Sequence, residues 1–525
     1  MTPSKRAAWL LALGALVLGL HGCAVLPPPA EREVSVAVPA SANEPLGRIA
    51  LQSVPAGQDS GFRPLPLANW SMDARLTLVR EARKTLDLQF YLLQNDVTGH
   101  TLARAVRDAA LRGVRVRLLV DDLYTAENIH LLLGLAAYPN VEVRLFNPFA
   151  GGRGFGLTRW LVGLNEFSRI NHRMHNKLMV ADGAFAIAGG RNMADEYFFS
   201  SKGGNFVDFD LLVAGAAVPR LAAIFDTYWN SPRIYPLDAI ETARHDARSQ
   251  QEAFEALTLD AIGAHPSPAP GRSDILGFRT LSDDLQNPPL KLLHGRVDVF
   301  ADDPEKVSGR AERGGDDTTV TARVGKAMSE AKTEVLVGSP YFIPGQLGMD
   351  GLRAARSHGV KVEVMTNSLA SNDEPFASAA YSNYRVPMLK LGAQLYETDS
   401  SQLKNDKLIG GALQNTVGRS HSKLIVIDRR TTFVGSMNMD FRSSRVNTEL
   451  GMLVDSPELA EMVIALAARV REGSYRLRLA EGDGHLQWVG IENGAEKVWD
   501  SEPGVDFATR LQLLLLFPFI SESLL

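Results

Sequence analysis

Residues 170–197 read Ile-Asn-His-Arg-Met-His-Asn-Lys-Leu-Met-Val-Ala-Asp-Gly-Ala-Phe-Ala-Ile-Ala-Gly-Gly-Arg-Asn-Met-Ala-Asp-Glu-Tyr. Residues 419–440 repeat that grammar as Arg-Ser-His-Ser-Lys-Leu-Ile-Val-Ile-Asp, closing on Val-Gly-Ser-Met-Asn-Met-Asp. Each stretch carries the word H-x-K-x-x-x-x-D: His175, Lys177 and Asp182 in the first, His421, Lys423 and Asp428 in the second. Gly190 and Asn192 lie 15 and 17 residues past His175, and Ser436 and Asn438 lie 15 and 17 past His421. One such word arises by chance in many chains of this length, whereas two with a common ruler point to an internal repeat.

The repeat reaches beyond the motif. Lys84-Thr85-Leu86-Asp87-Leu88 leads to Tyr91 and then Arg112-Gly113-Val114-Arg115-Val116, while Lys332-Thr333-Glu334-Val335-Leu336 leads to Tyr341 and then His358-Gly359-Val360-Lys361-Val362. Counting from Gly113 to His175 and from Gly359 to His421 gives 62 both times, so the chain is a tandem duplication with an offset of 246, the separation of His175 from His421.

Within each copy the apolar period switches between helix and strand. Leu76, Val79 and Ala82 predict a helix, 86–92 a strand, Leu102, Ala105, Val106 and Ala109 a second helical face, and 114–120 and 141–146 two more strands. That alternation predicts an α/β fold with a parallel sheet. His175 and Lys177 are expected on one face of a strand, because side chains alternate. Asp182-Gly183 reads as a hairpin turn. By spacing, Asp182 and Asp428 point away from the His and Lys face and are expected to hold the turn or pair with a cation rather than do chemistry. On the next predicted strands, Asp210 and Glu449 lie 18 and 11 residues after Asn192 and Asn438, which reads as a seven-residue insertion in the first copy.

At 525 residues more than one domain is expected, and the hydrophobic share of 45% with a charged share of 22% is ordinary for a folded protein. The 55 basic against 60 acidic residues give no basic footprint for nucleic acid. Lys5 and Arg6 precede the apolar run 7–20, which predicts an export signal over residues 1–23. That run is short of the roughly 20 residues a membrane span needs. Cys23, the single cysteine, stands where a lipoprotein would be lipidated; His21 departs from that pattern, so an uncleaved anchor is the alternative. The expected partition is then a flexible tether over 24–62, a first domain over 63–238, a helical and Pro-rich connector over 239–290 and a second domain over 291–525. The Gly-rich stretch 151–154 with Phe149, Phe155 and Trp160 predicts an aromatic loop against lipid or the core, and the apolar run 511–520 a tail packed on the body or on membrane.

A metal site is disfavoured because each histidine has a lysine two residues away, and a fixed ammonium repels a divalent cation. Two histidines, two lysines and two asparagines suit a phosphate instead. The lysines supply charge, and Asn192, Asn438 and the Ser436 hydroxyl supply hydrogen bonds to its oxygens. One neutral imidazole can attack phosphorus to form a phosphohistidine, while a protonated one serves the leaving alcohol. Asp210 and Glu449 are the candidates to orient the rings and to keep the acidic one charged.

The paired words, with Gly189-Gly190-Arg191-Asn192 and the stretch Asp440-Phe441-Arg442-Ser443-Ser444-Arg445-Val446-Asn447-Thr448-Glu449, resemble the phospholipase D superfamily and its bacterial cardiolipin synthase branch, especially the C-type enzymes. The resemblance implies two tandem α/β domains related by pseudo-twofold symmetry, one active site at their interface, no cofactor, and phosphatidyl transfer between phospholipids such as phosphatidylglycerol and a second lipid. It carries over His175, Lys177, His421 and Lys423 as catalytic within the six-residue motif set, Asn192 and Asn438 as phosphate contacts, and His175 as nucleophile with His421 as acid. The expected location is the bacterial cell envelope, facing the periplasm from a membrane anchor. A hydrolase using water, and a silent lipid-binding envelope lipoprotein, are the competing readings.

Overall fold

Aliphatic and β-branched runs separated by amphipathic helices give both halves the same sequence of strands. The computed structural model describes residue 26 and residues 32–151, 167–241, 246–264, 271–308, 318–400, 417–482, 484–492 and 494–516. The first half supplies β1 (Ser60–Leu65), β2 (Thr85–Phe90), β3 (Arg115–Asp121), β4 (Val141–Phe146), β5 (Leu178–Ala181), β6 (Phe185–Gly189), β7 (Asn205–Val207), β8 (Asp210–Gly215) and β9 (Ile234–Pro236). The second supplies β10 (Leu293–Ala301), β11 (Glu334–Gly338), β12 (Lys361–Asn367), β13 (Gln394–Thr398), β14 (Gly418–Ser420), β15 (Leu424–Ile427), β16 (Thr431–Gly435), β17 (Leu450–Asp455), β18 (Ser474–Leu479), β19 (Leu486–Glu492) and β20 (Ala495–Trp499).

In the first half β2, β3 and β4 run parallel, joined by the helices Val97–Leu111 and Thr125–Ala136, as parallel pairing requires. The sheet then continues antiparallel from β2 through β5, β6 and β8 to β1. The second half repeats this order with β11, β12 and β13 parallel and β15, β16, β17 and β10 antiparallel. There, β18, β19 and β20 add an antiparallel extension beyond β13. The expected α/β duplication is therefore observed in this shared strand order, with β1 and β10 as counterparts, while β19 and β20 belong to the second half alone.

Those two strands also join the halves. Leu293–Gly295 of β10 pair with Phe62–Ser60 of β1, and Arg296–Ala301 of β10 pair with β17, so the hydrogen-bonded ladder crosses from one half to the other. A core shared by both halves packs Val180, Ala188, Val213 and Phe225 with Val426, Val434, Val454 and Leu459. Each such buried aliphatic contributes roughly 1.5–3 kcal/mol, so this seam is a folding core in its own right.

The tether expected over 24–62 does not hold beyond residue 32. Ser35 and Ala37 donate their N–H groups to Asn230 and Asp226 at 3.1 and 2.8 Å, and Arg117 donates to the Ser35 carbonyl at 2.9 Å. Pro45–Ser53 is a helix that buries Leu46 and Ala50, and β1 is buried along its whole length. Gly61 and Pro64 disguise β1 in the sequence. Pro64 is tolerated because it lies past the residues paired with β10, where a missing N–H costs no ladder bond on that side. The connector is helical over Ala247–Leu257, as expected, and Arg63 pairs with Asp284 near its end; its prolines at 266, 268 and 270 lie outside the described residues.

The export signal, Cys23 and the loop 152–166 also lie outside the described residues. Phe149 is buried beneath the Arg173 guanidinium. The tail forms the helix Phe507–Leu516, on which Leu511 and Leu515 remain exposed. Among the described residues no helix is long and apolar enough to cross a membrane.

Candidate active site

The two motif segments are placed by backbone pairing across the seam. His175 donates its N–H to the Thr448 carbonyl at 2.9 Å, and Thr448 returns a bond to Arg173 at 2.9 Å. In the other half β14 pairs in parallel with β7, and the His421 N–H donates to the Val207 carbonyl at 2.8 Å. Each histidine is thus stitched to a segment of the opposite half, and the next residue along that segment is a carboxylate. Glu449 Oε2 lies 3.0 Å from His175 Nδ1, and Asp208 Oδ2 lies 2.7 Å from His421 Nδ1. The ends of β3 and β12 pin the same segments: Asp121 accepts from Met174 N at 2.8 Å, and Asn367 accepts from Ser420 N at 3.0 Å. The histidine and lysine precede the strands β5 and β15 rather than lying on them.

Both lysines are buried beside their histidines. Lys177 donates to the His175 carbonyl and stands 5.2 Å from the Tyr91 ring centroid. Lys423 donates to the His421 carbonyl, with its Nζ 2.8 Å from His421 Nδ1. Asn192 donates to the Tyr197 hydroxyl at 2.9 Å, and the Oδ1 atoms of Asn192 and Asn438 are buried without a hydrogen-bond partner. Turned about its terminal torsion, either amide would present NH2 to an anion in the cleft. An amide so turned donates to the non-bridging oxygens of a phosphate.

Two sequence expectations are corrected here, those for Asp210 and Ser436. Asp210 does not orient a histidine: it is buried between Arg75 at 3.1 Å and Arg191 at 3.0 Å, with Ser71 donating at 2.7 Å. The orienting residue is Asp208, two positions earlier and 16 residues after Asn192, so the insertion is five residues long. Ser436 does not face a phosphate; its hydroxyl donates to Glu449, whose other oxygen accepts from Ser443 at 2.7 Å. Asp182 and Asp428 stand outside the reacting cluster as turn-holders. Asp182 accepts from the N–H groups of Arg83, Lys84 and Thr85, and Asp428 from those of Lys332, Thr333 and Glu334.

Residues 76–229 and 324–470 match the domain family described as "Cardiolipin synthase, PLD-like domain". The chain belongs to the cardiolipin synthase family of phospholipase D-like enzymes. It is a cardiolipin synthase-like phosphatidyltransferase, built from two phospholipase D-like domains. Cardiolipin synthase C of Escherichia coli K12 is 33% identical over 465 residues, 87% of this chain and 94% of the relative. Cardiolipin synthase 1 of Bacillus anthracis is 24% identical over 399 residues, 75% of this chain and 63% of the relative. The crystal structure of a phosphatidylserine synthase from Haemophilus influenzae shares the fold, with a TM-score of 0.57 at 15% identity over 90% of this chain and 95% of that one.

Electrostatics in this family member depart from the expected charged imidazole. Burial, together with the neighbouring lysines, lowers His175 to about 4 against the pull of Glu449. Burial and Lys423 likewise hold His421 well below its ordinary value. Both rings therefore favour the neutral form at pH 7. Burial pushes Glu449 up, but His175, Lys177 and Ser436 outweigh it and hold the carboxyl below its usual range. An ionised Glu449 accepts from Nδ1–H, which leaves the lone pair of His175 on Nε2. Burial raises Asp208 to about 6 and lowers Lys423 to about 8. A phosphodiester anion entering between the lysines favours the protonated form of a neighbouring imidazole.

Proposed function

We propose that the enzyme transfers a phosphatidyl group between phospholipids, making cardiolipin from phosphatidylglycerol and a second phospholipid through a phosphohistidine. The observation that carries this reading is the reciprocal pairing across the seam. His175 rests on Glu449 of the second half and His421 on Asp208 of the first, so neither half holds a complete site.

In the first step the Nε2 lone pair of His175 forms the N–P bond as the headgroup ester P–O bond breaks. The protonated His421 gives its Nε2 proton to the departing oxygen. In the second step the acceptor hydroxyl loses its proton to His421, its oxygen bonds to phosphorus, and the N–P bond breaks to return His175 to its starting form. Lys177 and Lys423, with the amides of Asn192 and Asn438, offset the charge on the non-bridging oxygens. The reciprocal carboxylates supply the positive charge that each ring carries in turn with a partner.

We further propose anchoring at the bacterial envelope through the 1–23 segment, supported by its basic start, apolar run and Cys23. Fatty-acid labelling that is lost in Cys23→Ser would support the lipidated form, and labelling that persists would exclude it. The activity itself is tested with purified protein in mixed vesicles and lipid mass spectrometry. Cardiolipin is the expected product; phosphatidic acid as the main product would establish a hydrolase in its place.

A further inference from the structure

Both imidazoles stand among aromatic rings, with Tyr197 and Phe206 at 5.1 and 4.8 Å from His421, but on the second half a pair of carboxylates is added. On the first half Tyr91 stands edge-on to His175 with centroids 5.1 Å apart, and Tyr124 stands edge-on to Tyr91 at 5.6 Å. On the second half Tyr341 stands edge-on to His421 at 6.3 Å, and its hydroxyl donates to Asp373 Oδ2 at 2.8 Å. Asp373 and Glu374 are exposed, whereas His421 is buried. The acidic pair therefore lies on the solvent side of the buried His421. Asp373 is near enough to act electrostatically on both His421 and Lys423.

The loop that presents Asp373 is rigidly built. It leaves the C-terminal end of β12, where Ser368 and Ser371 both donate to the Thr398 carbonyl, at 2.8 and 2.9 Å. The Leu369 N–H donates to Glu502 at 2.9 Å, and the Glu374 N–H to Asn372 at 2.9 Å. A carboxylate held this way, with a phenol as its hydrogen-bond donor, is a pre-organised acceptor facing the site.

We propose that Asp373, set by Tyr341, determines headgroup specificity by accepting a hydrogen bond from the hydroxyl or ammonium group of the alcohol that leaves or enters beside His421. The inference rests on the phosphatidyltransferase reading, in which the alcohol oxygen exchanges its proton with His421. The next polar group outward on that alcohol then meets Asp373. A site built to accept a substrate hydrogen bond discriminates against analogues that lack the donor.

The test uses acyl-labelled phosphatidylglycerol, phosphatidylethanolamine and phosphatidylmethanol as competing donors, in phosphatidylcholine vesicles with unlabelled phosphatidylglycerol as acceptor. The wild-type enzyme should prefer a donor-bearing headgroup over the methyl ester in kcat/KM. Asp373→Ala should reduce that preference at least tenfold, about 1.4 kcal/mol, and Tyr341→Phe should reduce it in the same direction by less. Loss of preference for phosphatidylglycerol alone assigns a hydroxyl ligand, and for phosphatidylethanolamine alone an ammonium ligand. An equal proportional loss on all three lipids, or unchanged preferences, would overturn the assignment. A wild-type enzyme that transfers from none of them would overturn the transferase reading and this assignment with it.

Discussion

His175 and His421 occupy matching places in a duplicated fold, yet their surroundings do not match. Behind His175 stands Glu449, with Ser436 on the oxygen that faces the ring and Ser443 on the other. Behind His421 stands Asp208, shorter by one methylene, pressed against Gly190 where an added Cβ would come within 2.1 Å of Oδ1. The exchange of Gly190 for Ser436 therefore accompanies the exchange of Asp208 for Glu449. Glu449 is held below its usual range and Asp208 is raised to about 6. A firmly ionised carboxylate suits a ring that becomes cationic on phosphorylation, and a carboxyl titrating near neutrality suits one that gives and takes a proton.

The comparison can be broken most severely at the rings themselves. His175→Ala and His421→Ala should each lower cardiolipin formation by about 10³-fold or more, measured by lipid mass spectrometry. Near-normal turnover in either variant would reject a shared two-histidine site. Asp210→Asn leaves Arg75 and Arg191 without their buried partner and should cost about 3–5 kcal/mol of stability, read as a lower Tm. Because Asp210 is held at about 2, that stability is present above the ordinary carboxylate range and lost as pH falls through about 2. If Asp208→Asn were the more destabilising change, the structural roles of the two aspartates would be reversed.

Making the first half resemble the second sharpens the contrast. Gly190→Ser forces a side chain into the space of the Asp208 carboxylate and should reduce turnover about 10- to 100-fold, from roughly 1–3 kcal/mol of overpacking. The pH profile gives the next effect. The kcat/KM should fall about tenfold per unit below about 6, as Asp208 gains a proton, and fall again on the alkaline side, as Lys423 and Lys177, both lowered by burial, lose theirs. Asp208→Asn should remove the acid limb and Lys423→Arg should extend the alkaline one. The mildest expected change is Ser436→Gly, which removes one donor to Glu449 and should cost about three- to tenfold; a loss as large as that of Gly190→Ser would show the two ends to be equivalent.

The fold was legible because the repeat fixes its own ruler and the parallel strands carry apolar residues at matching places, as Val116 and Leu118 match Val362 and Val364. The histidines and lysines were legible for the same reason. Asp208 was not, because Asp208 and Asp210 share a parity and strand alternation cannot separate them. What separates them is pairing across the seam, where Val207 accepts from His421 and leaves Asp208 next to the ring. Ser436 has the chemistry of a phosphate ligand, and only packing shows that Glu449 takes its hydroxyl. β1 escaped because Gly61 and Pro64 mask a strand whose stability comes from partners roughly 150 and 230 residues later.

The division of labour is tested most directly by trapping the intermediate. His421→Ala, incubated with a phosphatidyl ester of p-nitrophenol whose leaving group needs no acid, should accumulate an acid-labile adduct. Peptide mass spectrometry under basic conditions should place the added phosphatidyl mass on the segment that carries His175. No adduct, or an adduct on any other segment, would contradict the account.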